Sequence, residues 1–369
     1  MAHATANNTN GPLSGLKIVE FAGIGPAPFA GLVLADFGAE VTVIERPGGT
    51  SRVGGGAALH RGKTVVQADL KSPPDLARVR DLIAGADALI EGFRPGVMER
   101  LGLGPDTLLA AHPRLVYARL TGWGQTGPLA RSAGHDINYV ALSGLMPFAA
   151  RPGQPPALPA TLLGDIGGGA LTMLFGLMCA LWESRRSGRG QVIDAAILDG
   201  VGYMGTLIQA LRADGHWSDD ASRNFFRHGS HFYDCFECAD GRWLSLGAIE
   251  GDFHEELMRR LGLSPMSPQD DPAQWPELRE QVAARLRERP LAHWVAVFDG
   301  SNACAAPVLT LAEAPHHPHQ QVRRNFFIQD GQAWPMPAPK LSRTPARPGS
   351  AALPDTQDRV SGADDIRPD

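Results

Sequence analysis

His135 and Asp165 are the residues whose types and settings could move a proton. His135 stands in Gly134-His135-Asp136-Ile137-Asn138-Tyr139, where a base, an acid and an amide crowd together. Histidine titrates near neutrality and suits general-base work, although a lone histidine is usually structural. Asp165 stands in Gly164-Asp165-Ile166-Gly167-Gly168-Gly169, just before an apolar stretch. Its plainest reading is a helix N-cap, which needs nothing further. The three glycines would also let a ligand come close to the helix start. Free N–H groups there stabilise a developing oxyanion, so an ionisable acid at this place is a candidate for chemistry.

A second constellation is basic. Arg46, Arg52, Arg61, Lys63 and Lys71 face a single acid, Asp69, within residues 46–71, in a chain of net charge −5. A solvated surface face would explain this; so would a site for a multiply phosphorylated ligand. Arg94 could extend such a site. Arg46 and Arg94 both follow expected strands, and ligands of parallel sheets bind beyond the strand C-termini. Gly23-Ile24-Gly25-Pro26-Ala27-Pro28 stands where a dinucleotide fold has its glycine-rich turn. Here Pro28 replaces the third glycine and Pro26 removes an N–H, so the segment reads as a tight turn starting a helix. Cys235-Phe236-Glu237-Cys238 has no second ligand pair for zinc and falls on an expected strand rather than a helix start, so it reads as structural.

The elements that must position these residues follow from periodicity. Short apolar runs at 16–22, 40–45, 64–70, 87–93 and 115–120 read as strands, with helices at 26–37 and 74–84 between them. This alternation predicts an α/β fold with a mostly parallel, doubly wound sheet. A long helix is expected over 165–183, a strand at 191–194 and a helix over 195–212. Residues 232–238 and 242–246, joined at Ala239-Asp240-Gly241, predict a hairpin in a smaller domain, followed by helices near 253–263 and 277–287. The domain reading is a large domain over 1–200, a linker over 201–228, a small domain over 229–310, and a return to the large domain over 311–369. The tail beyond 341, rich in Pro, Ser, Asp and Arg, is expected to be poorly ordered.

Composition narrows the classes. A chain of 369 residues with 43% hydrophobic and 20% charged residues has the material for about two packed domains. Its acidic balance argues against a nucleic-acid binder. Four cysteines exclude a disulfide scaffold and suit a reducing compartment. Residues 1–10 have the features of no export signal. The longest apolar run, 171–182, falls short of a bilayer span and reads as a buried helix. The expectation is a cytoplasmic protein with no membrane partner.

Several segments together resemble the α-methylacyl-CoA racemases, a branch of the family III CoA-transferase superfamily. They are Gly-Pro-Leu-Ser-Gly-Leu-Lys at 11–17, Asp-Phe-Gly-Ala-Glu-Val at 36–41, Glu-Gly-Phe-Arg-Pro-Gly-Val at 91–97 and Thr-Gly-Trp-Gly-Gln-Thr-Gly-Pro at 121–128. The His135 segment, Gly164-Asp165 and Gly247-Ala248-Ile249-Glu250 complete the set, and the His-Asp-Ile-Asn-Tyr stretch is the racemase-specific one. The resemblance implies a Rossmann-like large domain with a smaller α+β domain, in an interlocked homodimer whose sites lie between the large domain of one subunit and the small domain of the other. It implies that His135 and Asp165 are acid/bases on opposite sides of a substrate α-carbon and that Glu250 lies near the histidine. It also implies that the region of Arg46, Arg61, Lys63, Lys71 and Arg94 holds CoA. CoA is then part of the substrate, and no metal, flavin or nicotinamide is required. The rival reading is a CoA-transferase, in which Asp165 would be a nucleophile; a CoA-binding protein without catalysis is a third.

Overall fold

The computed structural model describes residues 11–49, 56–151, 154–264, 268–349 and 353–354. Runs of β-branched and apolar residues alternate with helices in chain order: β1 (Lys17–Phe21), α1 (Pro26–Asp36), β2 (Glu40–Glu45), β3 (Thr64–Gln67), α2 (Pro73–Ala84), β4 (Ala88–Glu91), α3 (Val97–Arg100), α4 (Pro105–Ala111), β5 (Val116–Thr121) and α5 (Asp136–Leu142). A π-helical segment, Leu162–Leu171, leads directly into α6 (Thr172–Ser187), followed by β6 (Val192–Ala196) and α7 (Ile197–Met204). The sheet runs from the edge strand Leu353–Pro354 through β3-β2-β1-β4-β5-β6, and every pairing is parallel. All four residues of β4 are buried, as a strand covered on both faces must be. The chain leaves β1 toward β2 and β3, then crosses to β4, β5 and β6. The loops after β1 and β4 therefore flank the point where strand order reverses, the usual ligand crevice of such a Rossmann-like sheet.

The chain divides into two units. One comprises Met1–Leu145, Leu158–Met204 and Phe327–Asp369; the other comprises Met146–Ala157 and Gly205–Phe326. The second unit contains α8 (Thr206–Ala213), β7 (Tyr233–Glu237), β8 (Trp243–Gly247), α9 (Gly251–Leu261), α10 (Trp275–Leu286), α11 (Leu291–Phe298) and β9 (Ala305–Pro307). Its sheet is antiparallel, ordered β7-β8-β9. Phe236, Leu244, Leu257, Trp275, Val282 and Trp294 form its core. Cys238 is buried in that core and Cys235 is half-buried, both as free thiols.

Several expectations change. The helix foreseen over 165–183 begins at Leu162, and with its π-helical start it runs unbroken to Ser187. The Ile166 N–H reaches the Thr161 carbonyl at 3.1 Å, five residues back. The glycines at 167–169 serve packing: a Cβ at Gly168 would lie 2.7 Å from the Val201 backbone nitrogen, and one at Gly200 would overlap the Gly168 carbonyl. Nor is the apolar helix wholly buried. Met173, Leu177, Ala180 and Leu181 face inward, while Phe175 and Trp182 are 73% and 66% exposed. The helix expected over 195–212 breaks at Gly205 into α7 and α8. The tail is tied down as far as it is described: Arg347 and Gly349 donate to Asp36, at 2.9 and 3.1 Å, and Leu353 pairs with Thr64.

Candidate active site

Asp165 is the fourth residue of the helix that starts at Leu162, so it lies inside the first turn rather than at the cap. Thr161, at φ 63°, takes the cap position. The Asp165 side chain reaches the loop after β1, where a Cβ on Gly25 would stand 3.5 Å from its Oδ2. Gly25 itself has φ 72° and is followed by Pro26 at the first position of α1. The loop that carries phosphate in dinucleotide folds is here a neighbour of a carboxyl. The Asp165 amide does not point to open space: it donates to Asp136 Oδ1 at 2.8 Å. The oxyanion role expected of the helix start at Asp165 therefore loses its nearest donor.

His135 is the N-cap of α5, with extended backbone; its N–H donates to Asn138 Oδ1 at 3.1 Å and its carbonyl accepts the Asn138 N–H at 2.8 Å. Reciprocal contacts of this kind set the entry to the helix and leave the exposed imidazole outside it. Asp136, buried, begins α5 and turns back to Asp165. One short element thus brings a base and a second carboxylate to Asp165. Burial, then the Asp136 charge, push the Asp165 carboxyl up to about 6, while His135 pulls it down. Tyr139, one turn along α5, packs edge-on to Trp123 with ring centroids 4.7 Å apart, and its hydroxyl donates to the Gly134 carbonyl. Gly122 has no side chain because the Tyr139 ring occupies that space. Burial raises the Tyr139 hydroxyl, and the Asp165 charge adds to this while Arg94 opposes it, so all three groups share one neighbourhood.

The carboxyl edge of the sheet separates the expected cations into two sets. Arg46, Lys71 and Arg94 are exposed and follow β2, β3 and β4. Arg94 is set by its own turn: Glu91 accepts the Phe93 N–H at 2.6 Å and Arg119 Nε at 2.8 Å, and Arg119 also reaches Glu99 at 2.8 Å. Lys63 and Arg61 are different, and the phosphate contacts expected of them are corrected. The Lys63 ammonium has 0% exposure and is paired with Glu20 at 2.7 Å and with the Pro28 carbonyl at 2.9 Å. Arg61 is buried against Asp36 at 2.6 Å and stacks over Phe327. Taking either cation out to a phosphate would strand a buried carboxylate. Arg52 lies outside the described residues. Glu250 belongs to the second unit, exposed at the N-cap of α9.

Residues 13–359 match CoA-transferase family III. The chain belongs to this family. Among curated family III relatives, the α-methylacyl-CoA racemase of Mus musculus is 44% identical over 342 residues, covering 92% of this chain and 88% of that protein. That of Homo sapiens is 42% identical over 343 residues, covering 91% and 88%. Among solved structures, a CAIB/BAIF family protein from Brucella suis superposes with a TM-score of 0.79 at 26% identity, covering 93% of this chain and 96% of that one.

Against this family III background, sequence reasoning picked His135 and Asp165 by type and passed over Asp136 and Tyr139. Asp136 did carry a signal, since an acid directly after a histidine at a helix start is well placed to bind a backbone N–H. That this N–H would be the one of Asp165, 29 residues away, left no trace in the sequence. Among the described residues no group of three or more His, Cys, Asp or Glu could hold a metal ion.

Proposed function

We propose that this chain racemises 2-methylacyl-CoA thioesters, with His135 and Asp165 as the two acid/bases. The observation that carries the reading is the cluster itself. An imidazole shares one neighbourhood with a carboxyl pushed up to about 6, a carboxyl that burial and a neighbouring acid fit to carry a proton. With His135 neutral and Asp165 protonated, His135 removes the α-proton of the (S)-acyl-CoA. The electron pair passes into the thioester as an enolate, and Asp165 protonates the opposite face to give the (R)-form. The enzyme is left with His135 protonated and Asp165 ionised, which is the form that runs the reaction backwards. Both directions use one ionisation state of the pair.

The racemase names of relatives at 42–44% identity support the same reading. A CoA-transferase would use Asp165 as a nucleophile, and nucleophilic attack requires the ionised form that burial and Asp136 disfavour. The exposed cations Arg46, Lys71 and Arg94 are proposed to meet the CoA phosphates, and Glu250 is proposed to favour the His135 imidazolium. The assembly is proposed to be a homodimer.

The test is proton NMR in D2O with one 2-methylacyl-CoA and no acceptor acid. Exchange of the α-proton is expected with wild type. His135→Ala should keep exchange with the (R)-substrate and lose it with the (S)-form, and Asp165→Asn should do the reverse. CoA transfer that needs an acceptor acid, with no α-proton exchange, would replace this reading with the transferase one.

A further inference from the structure

Asp136 takes no part in the proton transfer just described, yet it is bound to the residue that does. Its Oδ1 accepts the Asp165 amide at 2.8 Å across 29 residues of sequence. Gly164 makes the room: a Cβ there would overlap that oxygen and stand 3.1 Å from Val140 Cγ2. Asp136 is buried, and among the described residues no Lys or Arg forms an ion pair with it.

We propose that Asp136 is a positioning residue for Asp165: one oxygen pins the Asp165 backbone, and the carboxylate lays a fixed negative charge beside the Asp165 side chain that favours its protonated form. The proposal rests on the racemase reading, because only a two-base mechanism needs Asp165 to carry a proton in half of its cycle. A carboxyl of ordinary affinity would surrender that proton to an imidazole too readily to return it. A neighbouring like charge narrows the gap.

The surroundings leave this role to Asp136. Burial is the largest influence raising the Asp165 carboxyl to about 6, Asp136 is the next, and His135 opposes both. The loop before α1 offers Gly25. Arg119 on β5 is paired with Glu91 and Glu99. Asp194 on β6 accepts the Gln125 N–H at 3.0 Å, Asp199 on α7 is exposed, and the charges of α6 (Glu183, Arg185 and Arg186) lie in its last turns. On α5 itself the remaining titratable group is Tyr139, whose hydroxyl is raised.

Asp136→Asn keeps an oxygen for the amide and removes the charge. In this variant the acid limb of the pH profile for α-proton exchange should move to lower pH by about one unit. A purely structural residue would lower activity at every pH and leave the limb in place. Carbon NMR of the aspartate carboxyls gives the same answer without turnover, with Asp165 assigned by the signal missing from Asp165→Asn. Asp165 should titrate near pH 6 in wild type and about one unit lower in Asp136→Asn. Gly164→Ala presses on the same carboxylate from the other side and should lower the Asp165 titration too. The proposal is overturned if Asp165 titrates at the same pH in wild type and both variants, or in the ordinary carboxylate range in wild type. Absence of α-proton exchange in wild type would instead remove the racemase reading, while the NMR titration would still report what Asp136 does to Asp165.

Discussion

At Asp165 the needs of stability and of chemistry oppose each other, because burial and the Asp136 charge both disfavour the ionised form. The folded-state value of about 6 stands above the ordinary 3.8 of the unfolded chain. The folded protein therefore holds a proton that the unfolded chain has lost between those pH values. The stabilisation is complete below about pH 4 and is lost as pH rises through 6, a change of about 3 kcal/mol at most. Asp165→Asn removes the titration. Its stability relative to wild type should rise by about 1–3 kcal/mol between pH 4 and pH 7 and then level off, as read by urea melts at several pH values. A difference that does not change with pH would mean that Asp165 titrates normally. The candidates His135 and Asp165 were legible one by one because their types suit proton transfer. The contact that tunes Asp165 was not, because Asp136 meets it only after the loop between α5 and the π-helical segment has closed.

At the scale of elements, buried ion pairs set the strands and helices around the site. Glu20 on β1 and Lys63 before β3 are both fully buried, and the ammonium also binds the Pro28 carbonyl in the first turn of α1. Gly31 has no side chain because the Glu20 carboxylate fills that space against α1. Lys63→Ala should cost about 3–5 kcal/mol by stranding Glu20, and Glu20→Met with Lys63→Met should recover most of the loss in a urea melt. Arg94→Ala should behave in the opposite way, with stability unchanged and the KM for acyl-CoA raised more than kcat falls. A Lys63→Ala protein of wild-type stability would return that residue to the phosphate site. The basic cluster read as one patch in sequence because charge is visible there and burial is not. The helix start at Leu162 was missed for a related reason. Glycines at 167–169 look like an opening for a ligand, yet they let α7 approach so closely that side chains could not fit.

Across the whole molecule, α6 is left with an apolar stripe. Leu171, Phe175 and Trp182 are exposed on one face, at a spacing that keeps them in line along the helix. With its π-helical start the helix spans 26 residues, enough to cross a bilayer by length and composition, although its opposite face packs inside its own unit. A stripe of this kind asks for a cover, and the prediction is that the proposed homodimer buries it. Sedimentation equilibrium should give twice 39.3 kDa. Phe175→Glu with Trp182→Glu should shift the equilibrium toward monomer while leaving circular dichroism unchanged. A wild-type monomer at micromolar concentration would remove the homodimer from the proposal.

Local order alone determined a good deal here. The apolar runs at β1 to β6 and the helices α1, α2 and α6 were readable because buried strands and helix faces must be apolar, and Gly25-Pro26 marks where α1 starts. The hairpin at β7 and β8 was readable from its turn. The short β9, α11 and α5 were not, since three to eight residues carry too little pattern to separate from loop. Residue types nominated His135 and Asp165, and a family resemblance nominated Glu250. Only the tertiary structure decided which cations are exposed, that the Asp165 amide is taken, and that Asp136 stands beside that carboxyl. These outcomes depend on burial and on contacts between residues far apart in the chain, and electrostatics in a desolvated setting is set by those distances rather than by composition.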